Sequence, residues 1–526
     1  MDSKIKMLPA VTLKDVFAEL SCANNDCCDV VVSGISEDSR EVAEGYIFVA
    51  RDGEYHKGTD YIATAIAMGA VAVIIDKKDK LTPDIDTDMY SVPLIAVSDL
   101  TNQLGNIAAK VFANVIETLQ IIGVTGTNGK TSCAHYIAQA LNYLDMPTYM
   151  IGTLGNGHPE RLQEAQRTTP DACRLHTLFA DFYQQGAKVV VMEVSSHALE
   201  QGRVAAVPFY IGAFTNLSRD HLDYHGCMAH YGRAKSRLFT DFKLKHGILN
   251  LDDEYNSQLY AQLKKLDDTQ YQTTLTTFTE QDVSAANNQL VASALNLEHG
   301  IAFDLAYNND VTRIETQLIG KFNVANLLLV SAVLLKMAVS SADIQQSFKR
   351  LKPVPGRMQS VVLNQKNAQP LCIVDYAHTP DALEKALSAS RVHCAGRLIV
   401  VFGCGGDRDT GKRQEMAAIA QQFADIIVVT SDNPRTENPD AIINMIEQGF
   451  SANVEYVAMS DRKRAIDHAI AIANATDVVL VAGKGHEDYQ DVLGVKHKFS
   501  DAKVIVASLA EKEIKQLNNE QSKESV

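Results

Sequence analysis

A long apolar run is the first thing missing from this 526-residue sequence. No stretch approaches the ~20 apolar residues of a membrane-spanning helix, so the chain is not read as a membrane protein. The opening residues, MDSKIKMLPAVTLKDVFAEL, have no apolar h-region and no cleavage-site pattern, and no secretion is expected. Nine cysteines, vicinal Cys27–Cys28 among them, form no C-x-x-C pair and lack paired histidines. That argues against a zinc site and a disulfide framework and predicts reduced thiols in a cytoplasmic setting. A basic excess is also missing. The net charge of −15 argues against general nucleic-acid binding, so an anionic ligand must be held by local Lys, Arg and Mg²⁺. Tryptophan is absent, which excludes nothing.

What is present begins with length and alternation. A chain this long exceeds one ordinary core, and two to four domains are expected. Residues 1 to about 100 hold a strand (YIFVA), a helix (YIATAIAMGA) and a second strand (VAVII), a small α/β unit. A helical connector around Thr101–Asn114 leads into a middle segment of strand, polar loop and helix units. L-K-P-V-P-G-R-M-Q at 351–359, with two prolines and a glycine, reads as a domain joint. Beyond it, apolar strands (LCIVD, RLIVVF, DIIVVT, DVVLVA) alternate with helices in the pattern of a doubly wound α/β sheet. The segments expected are therefore 1–100, 101–352 and 353–526. The terminal EKEIKQLNNEQSKESV begins as a polar helix and is expected to fray.

The stretch IIGVTGTNGKTS, residues 121–132, carries the chemistry. It keeps the Gly-Lys-Thr of a phosphate loop, but Val124 stands where the usual G-x-x-x-x-G-K-[ST] has its first glycine. A buried strand precedes it, and from Lys130 the apolar residues Cys133, Ile137, Leu141 and Leu144 follow at helical spacing. Gly126 and Gly129 let backbone N–H groups turn onto a polyphosphate at a helix N-terminus. Lys130 can neutralise β/γ-phosphates, and the Thr131 hydroxyl can ligate Mg²⁺. A nucleoside triphosphate is the expected ligand.

Further carboxylates and histidines follow. Glu193 ends the strand KVVVME, and N-L-S-R-D-H-L-D-Y-H-G at 216–226 supplies His221, Asp223 and His225. With Thr131, Glu193 and His221 can complete a Mg²⁺ shell; the plainer alternative is structural histidines. In the last segment G-C-G-G-D-R-D, S-D-N-P-R and A-G-K-G-H-E-D each directly follow an apolar strand, so all three loops should meet on one sheet edge. They bring Arg408, Arg435, Lys484 and His486 beside Asp407, Asp432 and Glu487, a mixture suited to a zwitterion; the alternative is charged loops facing water. G-x-G-x-x-G is not completed after Gly403, so no dinucleotide site is expected there.

Taken together, G-x-x-G-x-x-G-K-T-S, T-T-P at 168–170, E-V-S-S-H-A-L-x-Q-G-R at 193–203 and the 216–226 stretch resemble the Mur ligase family. So do G-K-F-N-V-x-N at 320–326, P-G-R-M at 355–358, D-Y-A-H-T-P at 375–380, G-C-G-G-D-R-D, D-N-P-R and G-K-G-H-E. The motifs cover nearly the whole chain in order. The resemblance implies three domains: an N-terminal UDP-binding one, a central ATPase domain with a phosphate-loop-type parallel sheet, and a C-terminal Rossmann-like one for an amino acid. It implies an ATP-dependent ligase of peptidoglycan precursor synthesis, with meso-diaminopimelate joined to the D-glutamate γ-carboxylate of UDP-N-acetylmuramoyl-L-alanyl-D-glutamate through an acyl phosphate.

By the same resemblance, Gly126, Thr127, Asn128, Gly129, Lys130, Thr131 and Ser132 hold ATP, with Asn323, Asn326, Arg357, Asp375 and His378. Ser39, Thr168, Thr169, Ser195, Gln201 and Arg203 hold the UDP-muramoyl-dipeptide. Arg408, Asp432, Asn433, Pro434, Arg435, Gly483 and Glu487 hold diaminopimelate. Thr131, Glu193 and His221 serve Mg²⁺, and Lys235, in H-Y-x-x-A-K, is carbamylated by CO₂. Two places depart from the pattern: Arg167 precedes T-T-P where relatives often have Asn, and Glu54-Tyr55-His56 differ in the uridine loop. The rivals are a lysine-adding Mur ligase, a folylpolyglutamate synthetase-like ligase, and a protein that uses ATP only as a switch. D-N-P-R and G-K-G-H-E oppose the first two, and the Glu193, His221 and Lys235 set opposes the third.

Overall fold

The computed structural model describes residues 8–17, 29–52, 57–77, 90–266, 273–281, 288–297, 300–361, 363 and 369–524, the side chains of Asp223 and 516–524 excepted. The vicinal Cys27–Cys28 and the departure at 54–56 lie outside the described residues. Two compact units divide the chain. The first gathers Met1–Ala292, Leu305–Thr312 and Ala325–Ser347; the second gathers Ser293–Asp304, Arg313–Val324 and Phe348–Val526.

Within the first unit, the strands Gly34–Ser36, Tyr46–Ala50, Ala70–Asp76 and Leu94–Val97 pair in parallel, in chain order. Parallel strands covered on both faces read as continuous apolar runs, as YIFVA and VAVII do. One face packs around Val42, Phe48 and Ile62, the other around Ile35, Ile47 and Ile74. The connector is the helix Leu100–Val111, with Leu100, Leu104, Ile107, Ala108 and Val111 on its buried stripe. That stripe shares one core cluster with Ala172, Cys173 and Ala180 of the helix Ala172–Gln184. The N-terminal segment and most of the middle one therefore fall in one compact unit.

The middle sheet has a parallel core in the spatial order Thr148–Gly152, Val189–Glu193, Gln120–Thr125, Phe209–Phe214, His246–Asn250, Thr274–Thr279. This is the expected parallel sheet, and further strands extend both of its edges. Gly155–His158 and Arg161–Gln163 add an antiparallel meander at one edge, and Gln289–Asn296, Ile301–Tyr307 and Asp310–Thr316 continue the other. Gln120–Thr125 is central and buried beyond its first residue, so the loop after it opens at the carboxyl edge between two neighbouring strand ends.

The second unit contains a six-stranded sheet ordered Gln359–Val361, Leu371–Asp375, Val478–Ala482, Leu398–Phe402, Ile426–Thr430, Val457–Met459. All neighbours are parallel except the first pair. Pro380–Val392, Gly411–Phe423 and Pro439–Glu447 cover one face, while Arg462–Ile472 and the helix Asp501–Glu524 cover the other. This is the doubly wound sheet the alternation predicts. The terminal residues extend the last helix to Glu524.

Candidate active site

The phosphate loop links the strand Gln120–Thr125 to the helix Lys130–Tyr143, whose N-cap is Gly129. Gly126 takes φ 138°, and a Cβ there would collide with the Thr215 hydroxyl. Only glycine satisfies both demands. The following strand end fixes the loop from the side. Thr215 Oγ1 donates to the Asn128 carbonyl at 2.6 Å, and Asn128 exchanges hydrogen bonds with the Asn216 amide at 3.0 and 3.1 Å. Thr127 Oγ1 accepts from the Ser218 N–H and lies 3.2 Å from the Tyr231 hydroxyl. Ser132 and Asn326 are buried, and Asn326 Oδ1 accepts from the Cys133 thiol.

Thr131 Oγ1 donates to Glu193 Oε2 at 3.0 Å. Glu193 is 1% exposed and also accepts from the Thr153 N–H and hydroxyl at 2.8 and 3.2 Å. These donors are neutral, and among the described residues no cation pairs with this carboxylate. A buried anion beside a phosphate loop, compensated only by hydroxyls and one amide, has the chemistry of a hard-cation site, and Thr131 with Glu193 fits Mg²⁺. Thr153 Oγ1 also lies 3.1 Å from Thr168 Oγ1, so a row of hydroxyls connects T-T-P to the phosphate loop through Glu193. Thr169 donates to the Glu193 carbonyl at 2.8 Å. His221 is half exposed, with its ring near Asp220 and His197.

Lys130 Nζ donates to the Gly126 and Thr127 carbonyls at 2.9 and 2.8 Å. Lys235 is 1% exposed, lies over the Tyr231 ring at 4.6 Å, and donates to the same Gly126 carbonyl at 2.7 Å. A surface lysine is thereby excluded. Burial, reinforced by the charge of Lys130, pushes its pKa well below the ordinary lysine value, against the opposing pull of Asp220.

Around T-T-P, Arg203 donates to the Thr169 carbonyl at 2.9 Å and to Gln201 Oε1. Ser195 caps the short helix Ser196–Glu200 and accepts from Thr169 Oγ1. Burial, followed by the charge of Arg167, holds Arg203 below its usual pKa. Arg167 therefore bears on this cluster electrostatically. Ser39 is buried in the turn Ser39–Glu41 of the N-terminal sheet.

In the second unit, buried Asn323 donates to the Ile319 carbonyl. Arg357 lies over the Tyr376 ring at 4.6 Å, and His378 Nδ1 is 2.8 Å from the Tyr376 carbonyl. Asp375 accepts from the Met358 N–H at 2.7 Å; burial raises its pKa, opposed by Arg357.

The three strand-end loops do meet on one edge. Asn433 Nδ2 donates to Glu487 Oε2 at 2.7 Å, and Arg435 donates to the Gly406 carbonyl at 2.7 Å. Asp432, Asn433 and Pro434 are buried, Arg435 is half-buried and Arg408 is exposed. Gly483 has φ 116°, and a Cβ there would collide with Asp432 Oδ2. Three charged residues have roles that the loops alone did not reveal. Lys484 is fully buried and donates to Asn433 Oδ1 and Glu487 Oε2 at 2.8 and 3.1 Å, so it serves the site from beneath. Arg413 grips Glu437 with both terminal nitrogens, and Glu437 in turn accepts from the Asp407 N–H. Thr153 is the comparable omission in the first unit, hidden because nothing in its local sequence marks it.

Comparisons with known proteins place the whole chain in one family. The Mur ligase family catalytic domain matches residues 31–120, the Mur ligase middle domain 124–334, and the Mur ligase glutamate ligase domain 356–485. The chain is 45% identical over 482 residues to a UDP-N-acetylmuramoyl-L-alanyl-D-glutamate–2,6-diaminopimelate ligase of Xanthomonas oryzae pv. oryzae, covering 91% of this chain and 94% of that one. A protein of the same name from Chromobacterium violaceum is 45% identical over 480 residues, covering 91% and 94%. A solved structure of a ligase of that name superposes with a TM-score of 0.70 at 33% identity, over 96% of this chain and 100% of the other. Motifs, sheet order and relatives converge: the chain belongs to the Mur ligase family.

Proposed function

We propose that this chain ligates meso-diaminopimelate to the D-glutamate γ-carboxylate of UDP-N-acetylmuramoyl-L-alanyl-D-glutamate, at the expense of ATP, in the cytoplasm. The observation that carries the reading is the convergence of Asn433, Arg435 and Glu487 on one sheet edge. It offers a cation and acceptors to a substrate bearing both charges at its far end. The working division is 1–100 for the UDP moiety, 101–352 for ATP and 353–526 for the amino acid.

The γ-phosphoryl of ATP passes to the glutamyl carboxylate, giving an acyl phosphate. The diaminopimelate amine attacks that carbon, and the tetrahedral intermediate expels phosphate. Lys130 neutralises the transferring phosphates, and the loop N–H groups orient them, so the chain contributes positioning and charge rather than covalent chemistry. Thr131 and Glu193, with His221, would hold Mg²⁺, which supplies charge neutralisation on the polyphosphate. Arg203, Thr168, Thr169, Ser195 and Gln201 orient the dipeptide, and Ser39 the uridine end. Asn323, Asn326, Arg357, Asp375 and His378 hold the nucleotide. Arg408, Asp432, Pro434 and Gly483 complete the amino-acid pocket. Lys235, whose pKa burial pushes well below the ordinary lysine value, is the amine that takes up CO₂: its nitrogen bonds to the CO₂ carbon, one proton is released, and the side chain becomes an anionic carbamate.

The test is ADP and phosphate release by the whole chain. Release should require both UDP-N-acetylmuramoyl-L-alanyl-D-glutamate and meso-diaminopimelate, with a tripeptide product by mass. Release that ignores the amino acid, or equal use of L-lysine, refutes the reading.

A further inference from the structure

Arg462 and Asp501 are both fully buried and form a bidentate pair, with Nε to Oδ1 at 2.8 Å and NH2 to Oδ2 at 2.7 Å. Taking two charges out of water is costly, and apolar replacements of such pairs are often neutral or stabilising. Stability alone is therefore a poor reason for this one. The guanidinium has further donors, and they point at the site described above. NH2 also donates to the Ala482 carbonyl at 2.9 Å, and NH1 to the Ser431 carbonyl at 3.2 Å. Ala482 immediately precedes Gly483, and Ser431 immediately precedes Asp432.

The two carbonyls stand at the ends of strands that are not neighbours. Val478–Ala482 and Ile426–Thr430 both pair with Leu398–Phe402, which lies between them. One planar group thus ties together, across an intervening strand, the bases of two loops. The two loops are also in direct contact: Asp432 Oδ2 fills the place of a Gly483 side chain, and Lys484, Asn433 and Glu487 cross-link the same loops. Against the cost of burial, Asp501 foremost, then Asp432 and Glu487, hold Arg462 charged. Asp501 orients the fork so that its other edge meets both carbonyls.

We propose that the Arg462–Asp501 pair is a positioning element that sets the spacing between the Asp432–Arg435 and Gly483–Glu487 loops, and so determines selectivity for a diamino dicarboxylate over a monocarboxylate. The inference rests on the functional reading above. In Arg462→Lys the ammonium can pair with Asp501 but has no planar fork to span both carbonyls. The double substitution Arg462→Met/Asp501→Leu removes the tie without leaving a lone buried charge.

The experiment compares the full-length wild type with Arg462→Lys and with that double variant. It measures initial rates with meso-diaminopimelate and with L-lysine, KM for every substrate, and thermal melting. Outer supports that slip by about 1 Å cost on the order of 10²-fold, so KM for diaminopimelate should rise at least about tenfold. The diaminopimelate-to-lysine ratio should fall by a similar factor, while KM for ATP and for the UDP-dipeptide stay within about twofold. Folded variants with wild-type selectivity, or a uniform loss of kcat at unchanged KM, overturn the proposal. So does failure of both variants to fold, because the pair then acts through stability alone. A wild type that uses lysine equally well removes the functional reading itself, which is a separate outcome from selective wild type with selective variants.

Discussion

Arg435→Ala tests the amino-acid pocket most directly. The guanidinium is half-buried, and one nitrogen donates to the Gly406 carbonyl at 2.7 Å. Its removal takes away one internal hydrogen bond, about 1 kcal/mol, and melting should fall only ~2–4 °C. The effect on diaminopimelate should be much larger. A bidentate guanidinium–carboxylate contact has two charge-assisted hydrogen bonds of roughly 1.5–3 kcal/mol each, so about 3–6 kcal/mol is lost, or about 10²–10⁴ in kcat/KM. Lysine has no distal carboxylate, so its slow ligation should hardly change. The diagnostic quantity is therefore the ratio of kcat/KM for meso-diaminopimelate to that for L-lysine, measured by coupled ADP release. Arg435→Lys should fall between the two, because an ammonium supplies charge without the fork. A folded Arg435→Ala enzyme that keeps its original ratio, or that loses both substrates equally, would refute the assignment.

Lys130→Ala should leave the fold intact and lower turnover at least about 10²-fold, the usual cost of one preorganised charge donor; near-normal turnover at saturating ATP would refute its role. Lys235→Ala should be nearly inactive and partly rescued by a short added carboxylate, and ¹³C-bicarbonate should label the wild-type side chain. Mass data showing an unmodified lysine in a fully active preparation would sink that idea. His176 is buried, and burial lowers its pKa from 6.5 to about 4. The unfolded chain therefore binds a proton there before the folded one does. Its contribution to stability is complete above pH 6.5 and lost as pH falls toward 4, by about 3 kcal/mol. His176→Phe should flatten the pH dependence of chemical denaturation across that window, and an unchanged slope would count against the buried neutral ring.

The residues legible in the sequence were those whose role is local. Gly126 and Lys130 declare themselves because a turn and a helix start need particular residues at fixed spacing, and the apolar runs before D-N-P-R and G-K-G-H-E marked which loops would share an edge. The opaque residues depend on partners far along the chain. Arg462 and Asp501 are 39 positions apart, Arg413 and Glu437 are 24, and Thr153 reaches Glu193 across 40. Lys484 was visible as a charge but not as a buried one. The antiparallel meander at Gly155–Gln163 was missed because G-N-G-H carries almost no apolar alternation.

The interleaved composition of the two compact units bears on biosynthesis. Ser293–Asp304 and Arg313–Val324 belong with the C-terminal unit, and Ala325–Ser347 belongs with the first. Ile319 and Phe322 pack on the same core cluster as Leu383, Ala386 and Leu387. A fragment cut at the proline-rich joint and starting at 353 would lack those two side chains and expose their apolar seat. On the ribosome, the first unit cannot assemble its full set of segments until Ser347 has emerged, when about two thirds of the chain has been made. Ile319 and Phe322 must then wait, without the core they pack on, for sequence still to be translated. Such a chain depends on protection of its unfinished cores during synthesis more than one built from consecutive domains, and the length of that wait is written into the order of its segments.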